Sequence, residues 1–466
     1  MLNNIIAFIN DALYSYILVI ALVACGLYFT VRTKFAQFTT TKEQLRLVTE
    51  KPTDKSGISS FKALMVSTAS RVGTGNIIGV STAICLGGFG SVFWMWIIAL
   101  IGGATAFIES TLAQIYKRKG DDGSYGGPAY YIETALRSKA LALTFSILLV
   151  ITYGIGFNML ASYNLQSTFS SYSFYNKSVT PWIIGFILSL LVGYCLFGGG
   201  SRIAKITGML VPIMGISYIL IAVIVVFMNI TVIGNVFGRI FKEAFDLNAI
   251  FGGFGGSCVM FGIKRGLFSN EAGVGSAPNA SAAAEVSHPA KQGLVQILSV
   301  FIDTILVCSA TAFMCMCSGI EPTAEISGAP YVQAAMRETL GGFGPVFITV
   351  AMIFFAFTTM LGNLFYVNQS FSHILGRAPK KRFNYVYYTV ASLVILLGAV
   401  LSADLLWNIA DITMGLMTLI NLPTILILGR YAFRALTDYR AQRKRGLTPT
   451  FHARDIGIKD ELDYWN

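Results

Sequence analysis

The sequence predicts an all-α protein that crosses a membrane about eleven times. Hydrophobic residues make up 55% of the 466 residues and charged residues only 12%, about half the charged share of a soluble domain. Several apolar runs reach the ~20 residues that a transmembrane helix needs. Basic residues are concentrated in every second connecting segment. A lipid bilayer is therefore the expected surrounding of this chain.

Eleven apolar runs follow one another along the chain, separated by polar connectors. The predicted spans are 12–31, 59–86, 89–116, 140–169, 181–199, 203–229, 249–286, 292–318, 344–372, 384–402 and 405–429. The first run lacks a basic segment before it and a small-residue cleavage site after it, so it is interpreted as a retained helix and not a signal peptide. In connector 117–139, the stretch GGPAYYIETAL predicts a short interfacial helix.

The net charge of +11 indicates membrane orientation and not a nucleic-acid partner. Most of the 34 Lys and Arg residues fall in connectors on one predicted side of the membrane. The exceptions are four on the other side (Lys177, Arg239, Lys242, Arg337) and three inside apolar stretches (Arg71, Lys264, Arg265). By the positive-inside rule the N-terminus lies outside and the C-terminus in the cytoplasm. The expected location is the bacterial cytoplasmic (inner) membrane.

Two predicted spans contain polar and glycine residues where a simple helix would be apolar. The second contains Arg71–Asn76, and the seventh contains 252–256 followed by Arg265–Gly273. At membrane depth such backbone is tolerated where it lines a cavity or binds a ligand. The breaks lie five spans apart, an odd number, so the two blocks enter the membrane from opposite sides. This spacing predicts a 5+5 inverted repeat whose broken helices meet at a central site.

The predicted organisation has four parts. Residues 1–58 form an extra N-terminal helix and a basic connector, residues 59–229 the first five-helix repeat, residues 230–429 the second, and residues 430–466 a cytoplasmic tail.

The segment Val72–Asn76 predicts a binding site for a carboxylate. It would expose backbone N–H groups at the start of a half-helix, where the helix dipole also favours an anion. The alternative is that its glycines only permit close helix packing, for which Gly75 and Gly79 would suffice. The neighbouring Asn76 and the matching break in the seventh span favour the binding site. The segment is not a nucleotide fingerprint, because its spacing is GxGxxxG and no strand precedes it.

A small cation such as Na⁺ is expected beside the same break. The carbonyls of Ala69 and Val72 lie at the end of the preceding half-helix, where they lack intrahelical donors. Hard cations bind several oxygens, so hydroxyl groups from another span should complete the site. Thr358 and Thr359, deep in the ninth span, are the candidates.

The break in the seventh span supplies the matching side of the pocket. Ser269 and Asn270 offer oxygens to a ligand or cation, and Phe268 offers an apolar wall.

Acidic residues inside spans are candidates for function because removing them from water is costly. Glu109 in the third span is the strongest, with a role in coupling or gating. A structural pair with Arg71 is an equally weighted alternative. Asp303 in the eighth span is a weaker candidate of the same kind.

Four runs together resemble the alanine or glycine:cation symporter family: ASRVGTGNIIGVSTAICLGGFGSVFWMW, GGPAYYIE, RGLFSNEAGVGSAPNASAAAEVSHPAKQG and FAFTTMLGN. The resemblance covers most of the chain. It implies the five-plus-five fold of the bacterial leucine transporter with one extra N-terminal helix. It also implies co-transport of alanine, glycine or a related neutral amino acid with Na⁺, or with H⁺ as in some members. No cofactor is expected for such a transporter.

The resemblance also implies a role for each site residue. The backbone of Thr74 and Gly75 would hold the substrate carboxylate, with Asn76 beside the substrate and a cation. The carbonyls of Ala69 and Val72 would form a sodium site. The remaining assigned residues are Thr358 and Thr359 in that sodium site, and Phe268, Ser269 and Asn270 in the pocket.

Two positions depart from the family pattern. A Gln is common in the fourth span after Gly156–Met159, where this chain has Leu160, Ala161 and Ser162. A Trp is usual where Asn363 stands. Smaller residues here should widen the pocket and change its polarity, so serine or glutamine is an alternative to alanine or glycine.

Other classes of protein fit less well. An intramembrane enzyme is disfavoured because the sequence has no HExxH or GxSxG motif and only three histidines. A receptor or scaffold would leave the paired helix breaks unexplained. A channel would conduct without coupling and without saturating at low turnover.

Overall fold

The structure is a computed structural model, and it describes residues 10, 12–51, 58–120, 123–246, 253 and 257–466. Most of the glycine-rich stretch 252–256, and parts of the connectors at both ends of predicted segment 1–58, lie outside the described residues. The helices of the first part of the chain are α1 (Leu18–Arg32), α2 (Thr41–Val48), α3 (Ser60–Arg71), α4 (Val80–Gly87), α5 (Gly90–Ile115), α6 (Pro128–Ala135), α7 (Lys139–Leu149), α8 (Phe157–Thr168), α9 (Thr180–Leu196), α10 (Gly199–Met228) and α11 (Ile233–Ala244).

The second part of the described chain contains α12 (Cys258–Asn270), α13 (Pro278–Ala282), α14 (Pro289–Val300), α15 (Ser309–Met316), α16 (Ala329–Leu340), α17 (Phe343–Ile374), α18 (Lys381–Gly398) and α19 (Ala403–Lys444). Wider π-helical segments precede or join several of these helices at Leu13–Ile17, Gly75–Gly79, Val150–Gly156 and Phe301–Cys308. Short helical turns occupy Ala36–Thr39, Phe169–Ser171, Ile230–Val232, Ala324–Ile326 and Ala453–Ile456. The strands assigned in the described chain are β1 (Arg118–Gly120) and β2 (Gly123–Tyr125), which form one hairpin.

Within the described residues, six helical segments are long and apolar enough to cross a membrane, and three more are apolar but shorter. The long segments are Gly90–Ile115, Lys139–Ser171, Gly199–Met228, Pro289–Met316, Phe343–Ile374 and Ala403–Lys444. The prediction of an all-helical protein with many spans is therefore confirmed. The short helix predicted from GGPAYYIETAL is α6, which begins at Pro128, where a proline costs no hydrogen bond.

Both predicted interruptions are present in the helices. Helix α3 ends at Arg71, Val72 is extended, and helical structure resumes at Gly75. In the seventh predicted span, α12 ends at Asn270, and Glu271 adopts a left-handed conformation with φ 54°. The chain then turns through Gly273 and Gly275, both at positive φ, which glycine adopts without steric cost. One predicted span in each part of the chain is thus two short helices.

The last helix differs from its predicted span. The apolar run was predicted to end at 429, but α19 continues to Lys444. Residues 430–444 are rich in basic side chains, so hydropathy did not mark them. They are helical because one face of this extension is buried against other parts of the chain. Helices α11 and α16 also lie in segments for which no helix was predicted.

Helix α2 and the last turns of α19 contact one another at one end of the bundle, which we call the basic end. Helix α2 lies there against the end of α19: Tyr439 donates a hydrogen bond to Glu43, and Arg443 forms a 3.1 Å ion pair with the same carboxylate. Arg46 pairs with Glu43 at 2.8 Å. Partial burial raises the pKa of Glu43, but the hydrogen bonds from Arg46 and Tyr439 and the charges of Arg46 and Arg443 outweigh it and lower this pKa to about 2.

This network predicts a loss of stability in acid. Because the pKa of Glu43 in the folded chain lies below its ordinary value of 4.5, its contribution is complete above pH ~4.5 and disappears as the pH falls toward 2. We expect Glu43→Gln to remove about 1 kcal/mol at neutral pH, a value reduced for the partial exposure of the carboxylate, and nothing near pH 2. Thermal unfolding in detergent across this range measures the effect. The exposed Glu338→Gln is the control, and an equal loss at every pH would contradict the prediction.

Candidate functional site

The two helix breaks meet at Asn76. Its side-chain oxygen accepts a hydrogen bond from the backbone N–H of Gly73 at 2.7 Å, which closes the turn within the first break. Its side-chain nitrogen lies 3.1 Å from the hydroxyl of Ser269 in α12 and 2.7 Å from a carboxylate oxygen of Asp303. Asn76 is fully buried. One amide therefore joins the first break, the second broken helix and the eighth predicted span.

Asp303 is the centre of this polar cluster. It is fully buried within the π-helical segment between α14 and α15. Besides the bond from Asn76, its carboxylate accepts hydrogen bonds from Ser269 at 2.7 Å and Thr304 at 2.8 Å. The thiol of Cys308 lies 3.2 Å from the nitrogen of Asn76.

A small, partly open cavity lies between the two breaks, and the free space within it and at its mouth together is about 290 Å³. Its lining residues are Ser70, Arg71, Gly73, Thr74, Gly75, Phe157, Leu160, Ala161, Phe268, Glu271 and Thr359. Both breaks contribute to it, and so does α8, which supplies an apolar side. The cavity thus combines backbone at a helix N-terminus, aromatic surface and charged groups, a combination suited to a small zwitterion.

Aromatic rings close one side of this cavity. Phe268 packs against Phe157 with ring centroids 4.8 Å apart and against Trp407 at 4.9 Å. A methyl group at Gly75 would lie only 2.7 Å from the ring of Phe268, so the ring rests directly on the backbone of the first break. Phe268 thus presents an aromatic face to the cavity, and its role as an apolar wall for a substrate stays a prediction.

The end of α3 leaves the predicted cation-binding carbonyls without their usual donors. The N–H of Gly73, which would continue the helix onto the carbonyl of Ala69, bonds to Asn76 instead. The N–H of Asn76, which would reach the carbonyl of Val72, bonds to the carbonyl of Gly73 at 3.1 Å. Both carbonyls therefore lack these intrahelical partners, and their role in binding a cation stays a prediction.

The two predicted threonines of α17 have different surroundings. The hydroxyl of Thr359 is buried and has no hydrogen-bond partner among the described residues. It lies so close to Gly73 that a Cβ atom there would overlap with it. Thr358 donates to the carbonyl of Phe354 at 2.8 Å, and its hydroxyl lies 3.5 Å from the sulfur of Met214 in α10. The structure therefore places Thr359 at the end of α3, whereas the printed contacts of Thr358 are with its own helix and with α10, and the sodium site stays a prediction.

Three other predicted pocket residues occupy different surroundings. Ala161 lines the cavity. Asn270 is buried and accepts from the N–H of Ala272 at 3.1 Å, which stabilises the turn after α12. Asn363 accepts from Ser70 at 2.7 Å and donates to Asn158 at 2.9 Å, so it links α17 to α3 and α8. Asn363 is absent from the lining of the cavity as the described residues form it.

Arg71 and Glu109 do not form the ion pair that was one of the two interpretations. Among the described residues, no carboxylate oxygen lies within 4.0 Å of the Arg71 nitrogens; its polar contact is with Gln296 at 3.4 Å. One oxygen of Glu109 accepts from Asn421 at 3.0 Å. The Arg71 charge nevertheless interacts electrostatically with Glu109, Glu271 and Asp303. Three buried acids thus interact with one guanidinium. A bound cation or bound protons could compensate the negative charge that Arg71 leaves unbalanced.

A second charged group lies on the far side of the aromatic wall. Asp411 of α19 is buried and forms ion pairs with Lys264 at 3.0 Å and Arg265 at 3.4 Å, both from α12. The guanidinium of Arg265 stacks over Trp407 at 4.1 Å. Two of the three intramembrane cations noted in the sequence, Lys264 and Arg265, are therefore paired, and they hold α12 to α19 next to the Phe268–Trp407 contact.

Sequence reasoning underrated or missed several of these residues. Asp303 was the weaker of two acidic candidates, yet it has the larger number of polar contacts. Asp411 and Trp407 were not selected at all. The sequence did contain a signal for Asp411. It is an aspartate within an apolar run, and the seventh span contains two cations, Lys264 and Arg265, that needed a buried partner.

Paired broken helices around a buried polar cavity, in an all-helical chain with many spans, define a secondary transporter. The sodium:alanine symporter family matches residues 1–453 of the chain. The chain therefore belongs to the sodium:alanine symporter family. This membership confirms the prediction of a sodium-coupled amino-acid symporter, and a transporter rather than an enzyme.

Curated relatives cover almost the whole chain. The amino-acid carrier protein AlsT of Bacillus subtilis is 41% identical over 459 residues, covering 98% of this chain and 97% of AlsT. GlnT of the same organism, described as a probable sodium/glutamine symporter, is 40% identical over 468 residues, covering 100% of this chain and 96% of GlnT. The solved structure of MhsT in complex with L-phenylalanine superposes with a TM-score of 0.53 at 13% identity, covering 87% of this chain and 95% of that one. This last likeness concerns the fold alone, which is of the leucine-transporter type.

Proposed function

We propose that this protein imports a small neutral amino acid together with Na⁺ by alternating access, from a site between its two helix breaks. The observation that carries the proposal is the junction at Asn76, which ties the first break to Ser269 and Asp303 beside the cavity. The finer architecture is part of the proposal. It comprises eleven spans, repeats at 59–229 and 230–429 in inverted orientation, and a basic end that faces the cytoplasm.

The substrate carboxylate is proposed to bind the backbone of Thr74 and Gly75. These residues begin the second half-helix, whose first N–H groups have no preceding turn to bond with. The apolar side of the substrate then lies toward Phe268 and Ala161, both in the lining of the cavity. Binding of a zwitterion would use the helix dipole for its carboxylate and the aromatic wall for its side chain within the same small space.

Na⁺ is proposed to bind the carbonyls of Ala69 and Val72 and the hydroxyls of Thr358 and Thr359. The displaced donors at the end of α3 and the unpartnered hydroxyl of Thr359 support this assignment. A cation held there would attach α3 to α17, so that its binding favours one arrangement of the two helices over the other.

The sodium site predicts a change in sodium affinity for one isosteric substitution. We expect Thr359→Val to raise the sodium concentration for half-maximal uptake about tenfold or more, because a buried oxygen ligand to a charge is lost. Uptake at graded Na⁺ concentrations and saturating substrate measures it. Thr389→Val, which removes an exposed hydroxyl bonded to its own helix, should leave the sodium dependence unchanged. Equal curves for both variants would exclude Thr359 from the site.

Coupling to H⁺ is the second candidate, and Asp303 is the observation that favours it. A buried carboxylate contacting both broken helices is suited to binding a proton as well as compensating a nearby cation. Glu109 and Arg71 are proposed to act in coupling or gating, since their charges are buried and incompletely paired.

The paired cluster of Asp411, Lys264 and Arg265 is proposed to close the site on the side opposite the basic end. It covers the Phe268–Trp407 contact and holds α12 to α19. Opening toward that side would separate these charges, and binding of the substrate beneath Phe268 would favour their association.

Alanine or glycine is the proposed substrate class, and serine or glutamine is the alternative. Ala161 supports a wider pocket because it presents only a methyl group to the cavity, and the likeness to GlnT favours glutamine among the larger substrates. Asn363 is retained as a position that shapes the pocket through its bonds to Ser70 and Asn158.

Uptake of labelled neutral amino acids into proteoliposomes, with and without an inward Na⁺ gradient, tests the proposal. Accumulation that requires Na⁺ supports the symporter, and the preferred substrate among alanine, glycine, serine and glutamine defines the class. Uptake driven only by a proton gradient would replace Na⁺ by H⁺. Uptake under neither gradient would overturn the proposed function.

A further inference from the structure

Residues 449–466 fold back against the basic end and form what we call the strap. The side chains of Phe451, Ile458, Leu462 and Trp465 in this segment are buried. The carbonyl of Ile456 accepts a hydrogen bond from Arg434 of α19 at 2.9 Å. The strap was predicted only as a cytoplasmic tail, yet these apolar side chains are buried against the rest of the chain.

The strap binds first to the end of α5. The indole nitrogen of Trp465 donates to the carbonyl of Gln114 at 2.8 Å. The ammonium group of Lys117 lies over the ring of Tyr464 at 4.3 Å and over that of Trp465 at 5.4 Å. Asp463 forms a 3.1 Å ion pair with Arg118. Aromatic, hydrogen-bonding and ionic contacts thus hold one side of the strap to the end of α5 and the start of β1.

The other side of the strap binds the segment between α13 and α14. Ser287 donates to the carbonyl of Pro449 at 2.6 Å. The ring of Phe451 packs edge-on against His288, with centroids 5.0 Å apart, and also against Trp465 at 5.5 Å. The strap therefore lies across the contact between the end of α5 (Gln114 to Lys117) and segment 281–285, which we call the joint.

The same joint is closed from within by Gln114 and Lys117. The side chain of Gln114 donates to the carbonyls of Ser281 and Ala284, and Lys117 donates to Ala284 at 3.0 Å. Lys117 also lies 3.5 Å from the carboxylate of Glu285. The residues that the strap covers are thus the residues that hold the end of the second broken helix.

The first broken helix is attached to this assembly. The N–H of Glu285 donates to the carbonyl of Ile58 at 2.9 Å, just before α3 begins. At the start of α3, Ser60 accepts from Gln292 of α14 at 2.9 Å. A continuous set of contacts therefore leads from the strap through α5 and segment 281–285 to the start of α3.

We propose that the strap is a latch that keeps the path to the substrate site closed at the basic end. This inference rests on the proposed alternating access. For the site to open toward the basic end, the start of α3 and segment 281–285 have to separate from α5. The strap lies across that joint, so its contacts belong to the closed arrangement and are lost or rearranged in the open one. Weakening the strap shifts the population toward the open arrangement.

The test measures access to the joint directly. A Ser60→Cys variant places a thiol at a position that is 4% exposed, and a membrane-impermeant thiol reagent then labels it, with the labelled position assigned by mass spectrometry. Adding Trp465→Ala is expected to raise the labelling rate at this position ~5-fold or more, the lower end of typical coupling between sites. Adding Glu461→Ala, which changes an exposed charge in the same segment, should not alter the rate.

A second variant distinguishes an open joint from a misfolded protein. Asp463→Ala removes the half-exposed ion pair with Arg118 and leaves the packed rings in place, so a smaller increase in labelling is expected. Both variants are compared at equal elution in size-exclusion chromatography. Labelling that is unchanged in correctly folded Trp465→Ala and Asp463→Ala proteins would overturn the latch.

The labelling experiment is separate from the uptake experiment. Faster labelling without uptake of any amino acid would keep the latch and reject the proposed transport. Sodium-dependent uptake with unchanged labelling would keep transport and reject the latch.

Discussion

Replacing Asn76 with alanine is expected to abolish sodium-driven uptake, lowering the initial rate at least ~100-fold. The substitution removes the acceptor of the Gly73 N–H and a donor to Asp303 at the same time. Buried groups left without partners cost about 1–3 kcal/mol each, more where a charge is involved. The geometry of both breaks depends on these bonds, so binding of substrate and cation should fail together. Initial uptake rates in proteoliposomes, normalised to inserted protein, measure the effect.

The control for Asn76→Ala is Asn229→Ala. Asn229 also donates through its amide, to the carbonyl of Val225 at 2.9 Å, but it lies at the end of α10 away from the cavity. Its uptake should stay near that of the original protein. Normal sodium-dependent uptake by Asn76→Ala would mean that the junction is structural and that the substrate lies elsewhere.

The second large effect is on stability, and it concerns Asp411. Replacing it with alanine leaves Lys264 and Arg265 buried without the carboxylate that they share. Removing one partner of a buried ion pair typically costs 3–5 kcal/mol. We expect Asp411→Ala to lower the free energy of unfolding by about that amount, measured by denaturant or thermal unfolding in mixed micelles.

Two comparisons make the Asp411 prediction specific. Asp404→Ala changes an exposed aspartate on the same helix and should cost less than about 0.5 kcal/mol. Combining Asp411→Ala with Lys264→Met should recover part of the loss, because one unpaired charge is removed. An equal loss of stability for Asp404→Ala and Asp411→Ala would show that the ion pairs of Asp411 do not stabilise the fold.

The sequence predicted the helical class, the two breaks and several residues of the cavity, and the reasons are physical. Glycine and polar residues within a 20-residue apolar run conflict with the requirement that every backbone group in lipid be paired. The breaks at Val72 and Glu271 were therefore visible without a structure. Family resemblance supplied the individual roles of Thr74 and Gly75, which composition and spacing alone did not distinguish.

Partners across the fold were not predictable in the same way. Asp303 looked like one isolated acid, because its donors, Asn76 and Ser269, are 227 and 34 positions away. The interpretation of Arg71 as a partner of Glu109 followed from opposite charge alone, whereas the guanidinium contacts Gln296. Distances between side chains on different helices depend on packing, which no periodicity in the sequence encodes.

The end of α19 and the strap illustrate a different limit. Hydropathy measures the suitability of a segment for lipid, so the prediction stopped at 429 although the helix continues to Lys444. The strap has too few apolar residues in sequence to form a recognisable pattern. Its Phe451 and Trp465 pack because α5 and His288 provide surfaces for them.

The Asn76 junction also has a consequence for biosynthesis. Asn76 emerges from the ribosome 193 residues before Ser269 and 227 residues before Asp303. At 5–20 residues per second, the first break waits roughly 10–45 seconds for these partners. During that interval its amide has no Ser269 or Asp303 to bond with, and a bare polar group in hydrocarbon is costly. Water, lipid headgroups or the insertion machinery therefore has to accommodate the first break until the second part of the chain arrives.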